Sequence, residues 1–173
     1  MRPISRLLSE VYSKVVELRN DRFDQGEAET VEAGFPLLSV GNLTVGGTGK
    51  TPIVQFILNY LCQKKIKTVV ISRAYKAKAK KPTKIDRENI DPRFYGDEPS
   101  MLAEANSDVD FYVGKSKSEI AKSLSGYQIG IIDDGFQHRR LKRQLDIVIL
   151  DATEEIDNYR CLPLGKAREE FQG

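Results

Sequence analysis

Apolar residues recur at Ile4, Leu7, Leu8, Val11, Val15, Val16 and Leu18, the spacing of one helical face, so residues 4–18 are predicted helical. Arg2, Arg6, Lys14 and Arg19 outnumber Glu10 and Glu17 over that span. Such a stripe can pack on its own domain or lie on a membrane surface, and spacing alone leaves both open. A polar stretch, 20–32, follows. Beyond it the pattern changes to short apolar runs bounded by turn residues. Strands are predicted at 36–40, 68–72, 111–113, 130–132 and 147–150, and helices at 50–63, from about 98, and at 115–124. Pro52 is compatible with the first of those helices, because a first-turn proline gives up an N–H with no helical partner. Strands alternating with helices predict an α/β domain, a mainly parallel sheet covered on both faces. Ligands of such sheets bind beyond the carboxyl ends of the strands. The loops there are 41–49, 73–84, from 114, 133–138 and from 151.

A length of 173 residues suits one domain with its own core. With 40% hydrophobic and 30% charged residues the chain reads as globular, and a net charge of +2 does not point to nucleic acid. Cys62 and Cys161 form no C-x-x-C pair, which suggests a reducing compartment and no structural zinc. A single histidine, His138, excludes a metal site built on several imidazoles of this chain. No apolar run approaches the ~18 residues that span a bilayer.

The candidate chemistry falls in the strand-end loops. "GNLTVGGTGKTP" (41–52) joins a predicted strand to a predicted helix. The phosphate-cradling P-loop reads G-x-x-x-x-G-K-[ST]. Here its first position is Thr44 rather than glycine, followed by Val45, Gly46, Gly47, Thr48 and Gly49. Glycines let main-chain N–H groups approach a phosphate at a helix N-terminus, and Lys50 would meet the outer phosphates. Thr51 would supply a hydroxyl to Mg²⁺. "IGIIDDGFQHRR" (129–140) is an apolar strand ending in acid, the form of a Walker-B aspartate. Asp133 or Asp134 would hold Mg²⁺ directly or through water, unless one of them caps the turn. His138 alone is weak evidence, since a lone histidine is more often a hydrogen-bonded structural residue, and Arg139 and Arg140 read as phosphate ligands or a solvated face. In "YGDEPSMLA" (95–103), Asp97 and Glu98 stand at a helix start, where capping and acceptor-base roles both remain open. Lys76, Lys78, Lys80, Lys81 and Lys84 form an acid-free run, which usually means a mobile, solvated loop but can attract anions.

Together these stretches resemble the tetraacyldisaccharide 4'-kinase family of lipid A biosynthesis. The resemblance rests on "GNLTVGGTGKTP", "ISRAY" (71–75), "GDEP" (96–99), "DDGFQHRRL" (133–141), "LDIVILDA" (145–152) and "LPLGKAREE" (162–170), in the family's order. It implies a P-loop NTPase-like fold with an N-terminal amphipathic helix (1–25) and a nucleotide-binding domain (33–173). It implies transfer of the γ-phosphate of ATP, with Mg²⁺, to the 4'-hydroxyl of a tetraacylated disaccharide 1-phosphate. The implied location is the cytoplasmic face of the bacterial inner membrane, with peripheral lipid contact. By motif, Asp97 becomes the acceptor base, with Lys50, Asp134 and His138 beside the reaction and Thr51, Asp133 and Asp134 around the metal. Arg73, Tyr75, Glu98 and Gln137 fall on the acceptor side. Arg168 and Glu169 fall near the nucleotide.

One departure is Ala74, where the family has glycine in "SRGY"; a positive φ there would strain alanine. The resemblance also implies a second α/β domain beyond Gly173 that supplies a histidine partner to the base. These residues are then a fragment or a short form, with that domain lost or supplied by another chain. A non-catalytic ATP-binding module is the alternative. A GTPase lacks its N-K-x-D motif here, and the glycines do not fit the dinucleotide pattern G-x-G-x-x-G.

Overall fold

The computed structural model describes residues 2–46, 49–75 and 77–170. Gly47, Thr48 and Lys76 lie outside the described residues. Among the described residues six strands form one sheet: β1 (Leu37–Asn42), β2 (Thr68–Arg73), β3 (Thr83–Lys84), β4 (Asp110–Gly114), β5 (Ile129–Asp133) and β6 (Leu145–Ile149). Their order is β3-β4-β2-β5-β1-β6, and every pairing is parallel except the short β3–β4 pair. The helices are α1 (Arg2–Asp24), α2 (Lys50–Gln63), α3 (Pro92–Tyr95), α4 (Asp97–Ala105) and α5 (Lys117–Ser123). A 3-10 turn, Ile156–Tyr159, follows β6. The predicted α/β architecture is the one observed.

Period-two alternation is weak in the central strands because both faces are covered. On one face α2 buries Val54, Leu58 and Leu61 against Val40, Val70, Phe111 and Ile131. On the other, α5 buries Ile120 and Ala121 against Leu37, Val69, Ile71 and Ile132. Consequently the carboxyl ends of β1, β2 and β5, at Asn42, Arg73 and Asp133, share one edge of the sheet.

Four details depart from the sequence expectation. β3 and α3 are too short to carry a period. The residue before α4 is Gly96 at φ 101°, so Asp97 is the helix's first residue rather than its cap. Its carboxylate still lies in the first turn, where the helix dipole favours it. From residue 77 onward the lysine run is held rather than loose: Ala77 and Ala79 are buried, and Lys78 and Ala79 donate main-chain N–H groups to the carbonyls of Arg93 and Phe94. Ala74 has no positive φ, so that substitution stores no strain.

α1 reaches Asp24 and packs by its polar side. The Ser9 hydroxyl donates to the carbonyl of Cys161, Tyr12 to that of Arg168, and Arg19 to that of Gln137. The apolar stripe faces outward, with Ile4, Leu7, Leu8, Val11, Val15 and Leu18 between 52% and 67% exposed.

Candidate active site

The turn after β1 is shaped by a buried amide. Asn42 donates to the carbonyls of Thr44 at 2.5 Å and Gly46 at 3.4 Å, and accepts from Lys50 Nζ at 3.1 Å. One side chain thus sets the turn and tethers its lysine. Gly46 and Gly49 have φ of 123° and 75°, which glycine adopts without a Cβ clash. Thr44 is buried and bridges to Ala167, while Val45 N–H donates to Lys166 and Arg168 N–H to Leu43. The segment 166–168 therefore braces the turn from outside. β1 meets the turn after β5 so closely that a Cβ on Gly41 would lie 2.6 Å from Phe136 Cβ.

Beside this turn is a cavity of about 550 Å³. Asp97 and Glu98 form one wall, Asp133, Asp134 and His138 another, and Arg73, Tyr75, Gln137 and Arg168 also line it. Asp134 joins the cavity to the phosphate turn: its Oδ1 lies 3.8 Å from Lys50 Nζ and 3.5 Å from Arg168 Nη1. Asp134 holds φ 49°, a left-handed backbone that is uncommon outside glycine and concentrates at functional turns. The Thr51 hydroxyl donates to Glu98 Oε1 at 2.9 Å, linking the first turns of α2 and α4.

Three residues of this site escaped the sequence reading. Besides Asn42, Ser72 donates to Asp133 Oδ2 at 2.9 Å. Lys117, 2% exposed, donates its ammonium to the carbonyls of Asp133 and, at 2.7 Å, Asp134. Its signal was present in the spacing. Lys117, Ile120, Ala121 and Leu124 share one helical stripe, and a lysine on an apolar stripe is buried against something polar.

Burial dominates the electrostatics. Desolvation, and then the charge of Glu98, raises the Asp133 carboxyl above the usual range. Desolvation also pushes Lys117 down to about 8. His138 is pushed down to about 4 by burial and then by the positive charges of Lys117 and Arg73, so it is neutral near pH 7. Asp133 Oδ1 is buried with no hydrogen-bond partner. A buried, unpartnered carboxylate oxygen suits a cation. No cage of three or more His, Cys, Asp or Glu side chains exists among the described residues. Mg²⁺ at nucleotide phosphates does not need one, since it takes one or two carboxylates plus phosphate and water oxygens. The Asp133 carboxylate, with Asp134 beside it at the cavity wall, therefore fits Mg²⁺.

Not every expected residue converges here. The carboxylate of Glu169 accepts from Asn20 on α1 at 2.8 Å and stands outside the cavity. Arg139 pairs with Asp24 and Arg140 with Glu29, so neither is a phosphate ligand in this arrangement.

A family model described as tetraacyldisaccharide-1-P 4'-kinase matches residues 1–173. The chain belongs to that family. It is 49% identical over 177 residues to a tetraacyldisaccharide 4'-kinase of Bdellovibrio bacteriovorus, covering all of this chain and 52% of that protein. A namesake from Chlorobium limicola is 37% identical, with 96% of this chain and 51% of the relative covered. The crystal structure of LpxK from Aquifex aeolicus in complex with ATP superposes with a TM-score of 0.81 at 32% identity. That match covers 94% of this chain and 52% of the other. The chain spans about half the length of the curated relatives it matches.

Proposed function

We propose that these residues are the nucleotide-binding part of a kinase. It moves the γ-phosphoryl group of ATP to the 4'-hydroxyl of a tetraacylated disaccharide 1-phosphate, at the cytoplasmic face of the inner membrane. The observation that carries this reading is Asp134, which bridges the lysine of the phosphate turn to a cavity walled by Asp97. In this reading residues 33–173 form the nucleotide-binding domain and residues 1–25 an appended helix. The main-chain N–H groups of the turn 44–49 and Lys50 hold the phosphates, and Arg168 supports them from the bracing segment. Thr51, Asp133 and Asp134 would hold Mg²⁺, which when bound would supply charge neutralisation to the phosphate oxygens.

Arg73, Tyr75, Glu98 and Gln137 orient the acceptor. Its hydroxyl oxygen forms a bond to the γ-phosphorus as the bond to the β,γ-bridging oxygen breaks and ADP leaves. The hydroxyl proton passes to the Asp97 carboxylate. His138, neutral near pH 7, serves as a hydrogen-bonding partner at the cavity wall rather than as a fixed charge. Lipid contact rests on the outward apolar stripe of α1 with its basic flanks. No helix among the described residues is long and apolar enough to cross a membrane.

The test is transfer from labelled ATP to the disaccharide acceptor by the chain, with Lys50→Ala and Asp97→Asn as controls. Transfer that survives either substitution unchanged contradicts the roles given. The alternative reading is ATP binding without transfer. It predicts saturable ATP binding and no labelled product.

A further inference from the structure

α4 carries Asp97 and Glu98 in its first turn and is 9 residues long. A helix that short takes its direction from what holds it rather than from its own hydrogen bonds. Its apolar side, Leu102 and Ala103, is buried in one core with Val54 and Leu58 of α2. Apolar contact is non-directional, so it holds the helices together without fixing how α4 is turned or how far it slides.

Polar ties supply that direction. Gln55 Nε2 donates to Asn106 Oδ1 at 2.7 Å, and Asn106 Nδ2 donates back to Gln55 Oε1 at 2.8 Å. The other N–H of Gln55 Nε2 goes to Asn59 Oδ1 at 2.9 Å, and that of Asn106 Nδ2 to the Leu102 carbonyl at 2.7 Å. Both amides thus have every N–H in use, and turning either one over would set oxygen against oxygen. Thr51 lies one turn before Gln55 on the same face of α2 and donates to Glu98 at 2.9 Å. α2 therefore grips α4 at Glu98 and at Asn106, two points about 12 Å apart along the helix axis. The Arg87 guanidinium closes the far end, donating to the carbonyls of Ala103 at 2.9 Å, Asn106 at 2.8 Å and Val109. A cation there also suits the negative end of the helix dipole.

We propose that Gln55 and Asn106 are positioning residues for the phosphoryl transfer. Both stand outside the cavity lining, so they act through the helices and touch no substrate. Their amide pair sets the turn of α4 on α2. It thereby sets the distance from the Asp97 carboxylate, at the start of α4, to the phosphates held at the start of α2. The inference rests on the kinase reading above. A misplacement of about 1 Å at reacting groups costs on the order of 100-fold in rate, so a remote tie of this kind can govern transfer.

The test compares wild type with Gln55→Met and Gln55→Ala. Methionine keeps the length of glutamine without its hydrogen bonds, and both variants leave the Asn106 bond to Leu102 in place, so α4 keeps its last turn. Calorimetry with Mg·ATP, transfer from labelled ATP at saturating substrates, and backbone amide order parameters are measured on each. Both variants should bind Mg·ATP within about twofold of wild type and transfer phosphate about 10- to 100-fold more slowly. Order parameters at Asp97 and Glu98 should fall from about 0.85 toward about 0.6, while that of Thr51 holds. Transfer as fast as wild type, unchanged order parameters at Asp97, or ATP affinity lost in step with transfer overturns the proposal. A defect in the alanine variant that methionine repairs assigns the pair to space filling and overturns it as well. If the wild type binds Mg·ATP and yields no product, the kinase reading fails. The order parameters then still decide whether the amide pair places Asp97.

Discussion

Asn42 offers the sharpest test of how the phosphate turn keeps its shape without a glycine at its first position. Its side chain is fully buried and makes three polar contacts, two to turn carbonyls and one to the Lys50 ammonium. A neutral hydrogen bond contributes roughly 0.5–1.5 kcal/mol net, and one to a charged group roughly 1.5–3 kcal/mol. The 3.4 Å contact to Gly46 is long and deserves little of that sum. Asn42→Ala is therefore expected to cost the ordered turn about 2–4 kcal/mol, or roughly 30- to 700-fold in ATP affinity. Without its tether Lys50 would fall toward Asp134, already 3.8 Å away, across the seat of the phosphate.

Asn42→Asp separates the donor role from the acceptor role. The carboxylate can still accept from Lys50, but it cannot donate to Thr44 and Gly46, and its charge faces two carbonyl oxygens. It should bind ATP no better than the alanine variant. Calorimetric titration with Mg·ATP measures the affinity, and far-ultraviolet circular dichroism with urea unfolding checks that the fold persists. A folded Asn42→Asp protein within threefold of wild type would refute the idea that donation to the turn matters.

Lys117 should impose a specific pH dependence. Its folded-state pKa is lowered from 10.5 to about 8 by burial, so between those values the unfolded chain holds a proton that the folded chain does not. Stability should rise with pH across about 8 to 10.5, by up to about 3 kcal/mol relative to Lys117→Met. Parallel unfolding curves for the two proteins from pH 7 to 10.5 would disprove it. Gly41→Ala forces a Cβ to within 2.8 Å of the Phe136 main-chain nitrogen, so β1 and the turn after β5 must separate. Overpacking of this kind costs about 1–3 kcal/mol, and a urea midpoint unchanged from wild type would contradict the contact. Replacing Leu7, Val11 and Val15 by glutamate should reduce co-sedimentation with anionic vesicles at least about 10-fold while leaving ATP affinity unchanged, because those side chains touch no part of the cavity.

What could be read from sequence divides along physical lines. α2 was expected at 50–63 and is found there, because its apolar spacing, its glycine start and its position after a buried strand are all local features. The carboxylates at 97, 98, 133 and 134 were legible as strand-end and helix-start chemistry, and the fold brings them to one cavity. Asn42 and Ser72 were not, because their partners lie across the turn or the sheet and leave no mark in their own neighbourhoods, whereas Lys117 left only the indirect mark of a lysine on an apolar stripe.

α1 shows the same limit from the other side. Its periodicity announced an apolar face, yet periodicity does not say what covers that face. Here the domain takes the polar side, through Ser9, Tyr12 and Arg19, and leaves the aliphatic side outward. Tyr12 and Arg19 bond to the main chain of Arg168 and Gln137, residues of the bracing segment and the cavity wall. A surface that held the apolar side of α1 would thus fix the orientation of the cavity relative to that surface. Joining the outward apolar stripe to the site through one helix needs the polar contacts as much as the stripe itself. Removing the Tyr12 hydroxyl in Tyr12→Phe should therefore leave vesicle binding intact while loosening the 166–168 segment, seen as faster amide exchange at Arg168. Unchanged exchange would sever α1 from the site.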